Sequence, residues 1–176
     1  DSVPVSVRDS AKDVKINIAK VDYGDASSAD VAVEIGAILG AIPGIGAPAD
    51  IATGILAAIK DPPDYLIAAF SIICAAPVVG LGAAFARSAV KKAGSGGVKK
   101  VGRQLQDKGV KLSTTKLSKI KQSINSVWKS MTSEQRIKQI TELTNMEAAQ
   151  ITARLGETKK YVDEILDNVE VLGSGA

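Results

Sequence analysis

The run Tyr65-Leu66-Ile67-Ala68-Ala69-Phe70-Ser71-Ile72-Ile73-Cys74-Ala75-Ala76 decides the fold of this chain. It carries no charge, begins after the turn Asp61-Pro62-Pro63-Asp64 and stops at Pro77, so it reads as a helix starting near Pro63. A helix that is apolar all round must be covered on every side. Its own short module hardly suffices for that, so cover is expected from the C-terminal tail, from identical subunits, from a larger parent protein or from lipid.

Working outward, Ser28 or Asp30 caps a first helix with its body over Val31 to Ile42, ended by Pro43-Gly44. Pro48 suits a first helical turn and Asp50 its positive end, predicting a second helix to about Lys60. Val78 to Lys92 reads as a fourth. The junctions around Pro43 and Pro77 each place a glycine three residues after the proline, a faint internal repeat. Ala93-Gly94-Ser95-Gly96-Gly97 reads as a linker, because three glycines in four positions leave the backbone too free for a helix.

Beyond the linker, Leu117, Ile120, Ile124, Val127, Trp128 and Met131 recur at helical spacing, with lysines on the other faces. Thr132 to Gln135 carries a capping-box spacing and opens a helix with Ile137, Ile140 and Leu143 inward. Asn145 caps the last helix, whose stripe is Ile151, Leu155, Val162, Ile165, Leu166 and Val169, with Gly173 closing it. Near the start, Val3 to Val7 and Val14 to Val21 alternate and suggest an extended arm. The expected fold is all-α: an arm (1–27), Ala/Gly-rich helical hairpins (28–93), a Gly/Lys-rich linker (94–111) and an amphipathic helical tail (112–176). The start at Asp1, without a charged segment followed by an apolar core, suggests a processed product or excised fragment.

Composition narrows the chemistry. Of 176 residues, 45% are apolar but only 3% aromatic, and the absence of His with a single Cys removes imidazole catalysis, Cys/His zinc sites and an intrachain disulfide. Gly44-Ile45-Gly46 and Gly80-Leu81-Gly82 lack the rest of a nucleotide fingerprint and read as turns. Asp61 and Asp64 read as helix caps, and Cys74 as an inert small hydrophobe. No catalytic residue, metal ligand, cofactor or small-molecule substrate is expected.

Two surfaces remain as candidates. Tyr65 to Ala86 is 22 residues without a charge, long enough to cross a bilayer as one helix. Its large apolar residues contribute about −3 to −5 kcal/mol on an insertion scale, partly offset by Pro77, Gly80, Gly82 and Ser71. Soluble core and membrane segment therefore both stay open; Leu66, Phe70, Ile73, Val78, Val79, Leu81 and Phe85 are the candidate membrane or assembly contacts. Charge supplies the second surface. Residues 87–138 hold fourteen lysines and arginines against Asp107 and Glu134, a net of +12 within a chain of +3. Such density attracts polyanions. Lys91, Lys92, Lys99, Lys100, Arg103, Lys108 and Lys111 are the candidate contacts to DNA backbone or anionic lipid, the alternative being a solvated basic face.

The run Gly40-Ala41-Ile42-Pro43-Gly44-Ile45-Gly46-Ala47-Pro48-Ala49-Asp50, with Asp61 to Asp64, Ala68-Ala69, Ala76-Pro77-Val78-Val79-Gly80 and Lys91-Lys92, resembles a hydrophobic helical connector module of bacterial polymorphic toxins. Similar stretches occur in large phage virion proteins. The resemblance covers about residues 29–93 and implies a delivery-associated, non-catalytic role. Toxins of that kind continue into a nuclease or protease domain, whereas this chain continues into basic and acidic helices without His, which favours the virion. The expectation is a phage structural or delivery-associated protein that packs with itself or other virion proteins. The alternative is a toxin connector or membrane-active domain, secreted or membrane-associated.

Overall fold

The computed structural model describes residues 26–42, 45–107, 113–144 and 146–174. The fold is all-α, and no strand occurs among these residues. In chain order the helices are α1 (Ala26–Leu39), α2 (Pro48–Ile59), α3 (Tyr65–Ala75), α4 (Gly82–Ala93), α5 (Gly97–Asp107), α6 (Thr114–Met131), α7 (Glu134–Leu143) and α8 (Ala148–Ser174). The expected extended arm lies outside the described residues apart from its end, where Ala26 and Ser27 begin α1. Asn145 and the Pro43-Gly44 break also lie outside them.

Local signals account for most helix boundaries. Pro48 occupies the first turn of α2 with Asp50 beside it, and the Asp64 carboxylate accepts a 3.1 Å hydrogen bond from the Ile67 amide to cap α3. Ser113 caps α6 through the Lys116 amide, and Ser133 caps α7 through the Arg136 amide. Thr132, one residue earlier, instead donates its hydroxyl to the Trp128 carbonyl at 2.7 Å.

Two internal junctions differ from expectation, as do the outer ends: α1 spans Ala26–Leu39, which places Ser28 and Asp30 inside the helix instead of at its cap and Ile42 beyond it, and α8 runs on through Gly173 to Ser174. The fourth helix starts at Gly82, not Val78, because Gly80 (φ 64°) and Gly82 (φ 80°) take a left-handed turn that helix cannot continue through. Within that turn the Leu81 amide returns to the Cys74 carbonyl at 3.0 Å. The second difference is the expected linker: residues 94–96 form one short 3₁₀ turn, and 97–107 are helix. Val101, Gly102 and Leu105 of that helix are buried, on a face that packs against α8. Three glycines here make a corner within a continuous core.

The α3 helix lies at the centre. Every residue from Ile67 to Ala76 is buried. Its cover comes from α2 on one side, α4 on another and α8 on a third. The α2 contact is close because Gly54 has no side chain; a Cβ there would lie 2.9 Å from the Ala68 carbonyl oxygen. Phe70 is wholly buried, with the Phe85 ring of α4 at 6.1 Å. On the α8 side, Tyr65 stacks on Tyr161 at 5.8 Å, and Arg154 Nη1 donates to the Lys60 carbonyl at 2.7 Å. That bond satisfies an acceptor at the C-terminal end of α2, where helical carbonyls lack partners. Among the covers anticipated from sequence, the C-terminal tail is the one observed: Ile151, Leu155, Val162, Ile165, Leu166 and Val169 belong to the same core as Phe70 and Ile73. Each fully buried Leu, Ile or Phe contributes about 1.5–3 kcal/mol, so this shared core binds tail to module.

Candidate functional site

The corner between α4 and α5 gathers the exposed basic residues. In α4, Ala83, Ala86, Ala89 and Ala93 recur at three and four and are buried, which turns Lys91 and Lys92 in the last turn outward. Both also sit at the negative end of the helix dipole, a favourable place for cations. Gly94 (φ 54°) and Gly97 (φ 57°) then reverse the backbone around the 3₁₀ turn, and nothing lies within 4 Å of where a Cβ would stand at either position. In α5 the buried face of Val101 and Leu105 leaves Lys99, Lys100 and Arg103 on the opposite side, exposed, together with Asp107. The Lys100 stem folds back over Gly96, drawing its charge toward the corner.

These five cations are not neutralised by the described residues. None forms an ion pair with another described residue. Three carboxylates of α8 pair with other lysines, Asp163 with Lys159 at 2.9 Å, Glu157 with Lys160 at 3.0 Å and Asp167 with Lys121 at 3.7 Å, while Glu164 is exposed on the same helix. Lys116 and Lys119 are exposed on α6, while Lys108 and Lys111 lie outside the described residues.

The apolar candidates are placed differently. Phe70 and Ile73 are 0% exposed and Val79 is buried, so they face the interior of one chain and have no surface for a bilayer or a second subunit. Leu66, Leu81 and Phe85 are half-buried and pack against the core; of the seven, Val78 alone is an exposed large hydrophobic. The physical reason is that α8 supplies the third wall that the apolar module lacks. No helix among the described residues is long and apolar enough to cross a membrane.

Other groups offer little chemistry. A surface cleft of about 260 Å³ between α6 and α8 is lined by Lys121, Ile124, Asn125, Asp163, Leu166 and Asp167, where the lysine and both carboxylates are held in the ion pairs above. No group of three or more His, Cys, Asp or Glu suited to a metal occurs among the described residues. Burial, with a smaller contribution from Asp50, pushes the Cys74 thiol far above its ordinary value, which suppresses the nucleophilic thiolate. Asp64 is a helix cap, as expected, and Asp61 is exposed.

Sequence reasoning found the charges of the corner but missed its shape. The signal was present: Val98, Val101 and Leu105 are spaced for one helical face, and the cluster Gly94, Gly96 and Gly97 lies entirely before it. Compared with known proteins, the chain matches no family model, no curated protein and no solved structure.

Proposed function

We propose that this chain is a non-enzymatic structural or delivery-associated component of a phage virion, packing with itself or with other virion proteins and presenting a basic corner to a polyanion. The observation that carries the polyanion part is the set of five exposed cations, Lys91, Lys92, Lys99, Lys100 and Arg103, without ion-pair partners among the described residues. The virion part rests on the resemblance of residues 29–93 and on the absence of His from the helices that follow. Enclosure of α3 counts against bilayer insertion by the folded chain, because insertion would first require stripping α8 from the core.

Light scattering of the purified chain across a concentration series, paired with dye release from anionic vesicles, tests this reading. An assembly component forms a defined oligomer and leaves vesicles intact. A chain that stays monomeric at every concentration and empties vesicles overturns the reading in favour of a membrane-active toxin connector.

A further inference from the structure

We infer that the α4–α5 corner is a sequence-independent site for the phosphate backbone of duplex nucleic acid. The inference rests on the reading above and names the polyanion. Three observations choose the duplex backbone over a lipid surface or a single strand. First, an interfacial lipid site combines cations with an apolar face that enters the acyl boundary, whereas here the apolar side of both helices is spent on the core. Ala89, Ala93, Val101 and Leu105 are at most 2% exposed, and the exposed large hydrophobics Val33 and Val78 lie on other segments. Second, the exposed residues of the corner are Lys91, Lys92, Gly94, Ser95, Lys99, Lys100 and Arg103, cations interspersed with small residues, with Asp107 at the far end of α5 as the one exposed acid of the two helices. That composition lets a phosphate ridge approach without steric obstruction, and the open space above Gly94 and Gly97 adds to it.

Third, no aromatic ring of the described residues stands exposed at the corner. Phe85 is half-buried and paired with Phe70, and Trp128 is buried in α6. Stacking on splayed bases, the usual device of single-strand recognition, is therefore missing. What remains is charge neutralisation, strongest against the high linear charge density of a duplex. Among the described residues no corner side chain is held by a hydrogen-bond network that could read base edges, so binding is to the backbone and indifferent to sequence.

The test measures fluorescence anisotropy of a mixed-sequence duplex with the full chain, between about 50 and about 200 mM salt. It is repeated with the variant in which Lys91, Lys92, Lys99, Lys100 and Arg103 are all replaced by Gln. Each phosphate contact contributes about 0.9 to the slope of log affinity against log salt, so the slope becomes shallower by about 4.5 in the variant. Over that salt range the unmodified chain then loses about 500-fold more affinity than the variant does. Lys129→Gln with Lys138→Gln, two exposed cations on α6 and α7, leaves the slope unchanged. Circular dichroism confirms that the variants remain helical, and light scattering on the same samples follows assembly. Tighter binding to vesicles of one-third phosphatidylserine than to the duplex overturns the inference, as does an equal slope change in the Lys129/Lys138 control. Absence of duplex binding with the oligomer still present also overturns it while leaving the structural reading intact; loss of the oligomer alone does the reverse.

Discussion

Replacing Gly54 with alanine places a methyl group at the closest backbone approach in the core. The new Cβ would stand 2.9 Å from the Ala68 carbonyl oxygen, 3.1 Å from Ile72 Cγ1 and 3.3 Å from Ser71 Cβ. The first of these is backbone, so α2 and α3 must move apart to accept it. Overpacking of this kind costs about 1–3 kcal/mol. Alanine returns about 0.8–1 kcal/mol through helix propensity, leaving a net loss of about 1 kcal/mol, and more if the separation opens the α2–α3 contact along its length. Gly156 provides the internal comparison, since it is exposed within α8 and nothing lies within 4 Å of its Cβ position. Gly156→Ala should therefore stabilise by about 0.8–1 kcal/mol from propensity alone. Urea denaturation of the two variants beside the parent chain measures both effects as opposite shifts of the midpoint at unchanged slope. If Gly54→Ala stabilised as much as Gly156→Ala, the close α2–α3 contact would not exist in solution.

The buried Ser71 hydroxyl has no hydrogen-bond partner among the described residues, so Ser71→Ala removes an unsatisfied polar group; it should raise stability by about 1 kcal/mol in the same denaturation assay. Phe70→Ala leaves a cavity between α3 and α4 and should cost about 3–5 kcal/mol, enough to unfold a marginal domain in circular dichroism at physiological temperature. The thiol of Cys74 stays protonated in the folded chain but ionises in the unfolded one above its ordinary value of 9.0. Its contribution is therefore complete below that pH and falls by about 1.4 kcal/mol per pH unit above it. Denaturation midpoints of the parent and of Cys74→Ala, followed from pH 8 to 10.5, should diverge in slope above pH 9.

Much of the fold was legible locally. Asp64, Pro48 and Pro77 mark helix ends by backbone geometry and unsatisfied amides, which act within a few residues, and each marks an end in the structure. The stripe from Leu117 to Met131 was equally readable, because a 3.6-residue period reports one buried face wherever that face is packed. What covers α3 was not legible. Contacts such as Tyr65 with Tyr161 and Arg154 with the Lys60 carbonyl join positions more than ninety residues apart and leave no periodic trace. The corner at Gly94–Gly97 was misread for a different reason: glycine frees the backbone both for a linker and for a left-handed turn, and composition does not separate the two. Of the site, the charges were plain from residues 87–138, but that none of the five forms an ion pair with a described residue is a tertiary fact that composition does not carry.

Cys74 reports directly on whether α3 is interior to a single chain, since its side chain is fully buried in that helix. The measurement is the rate of alkylation by a polar maleimide over a dilution series, with and without anionic vesicles. Protection that persists at the lowest concentration, ignores vesicles and disappears only in denaturant is the result expected. Labelling that accelerates on dilution or on adding vesicles would mean that other subunits or lipid cover the helix, contradicting the enclosure by α2, α4 and α8.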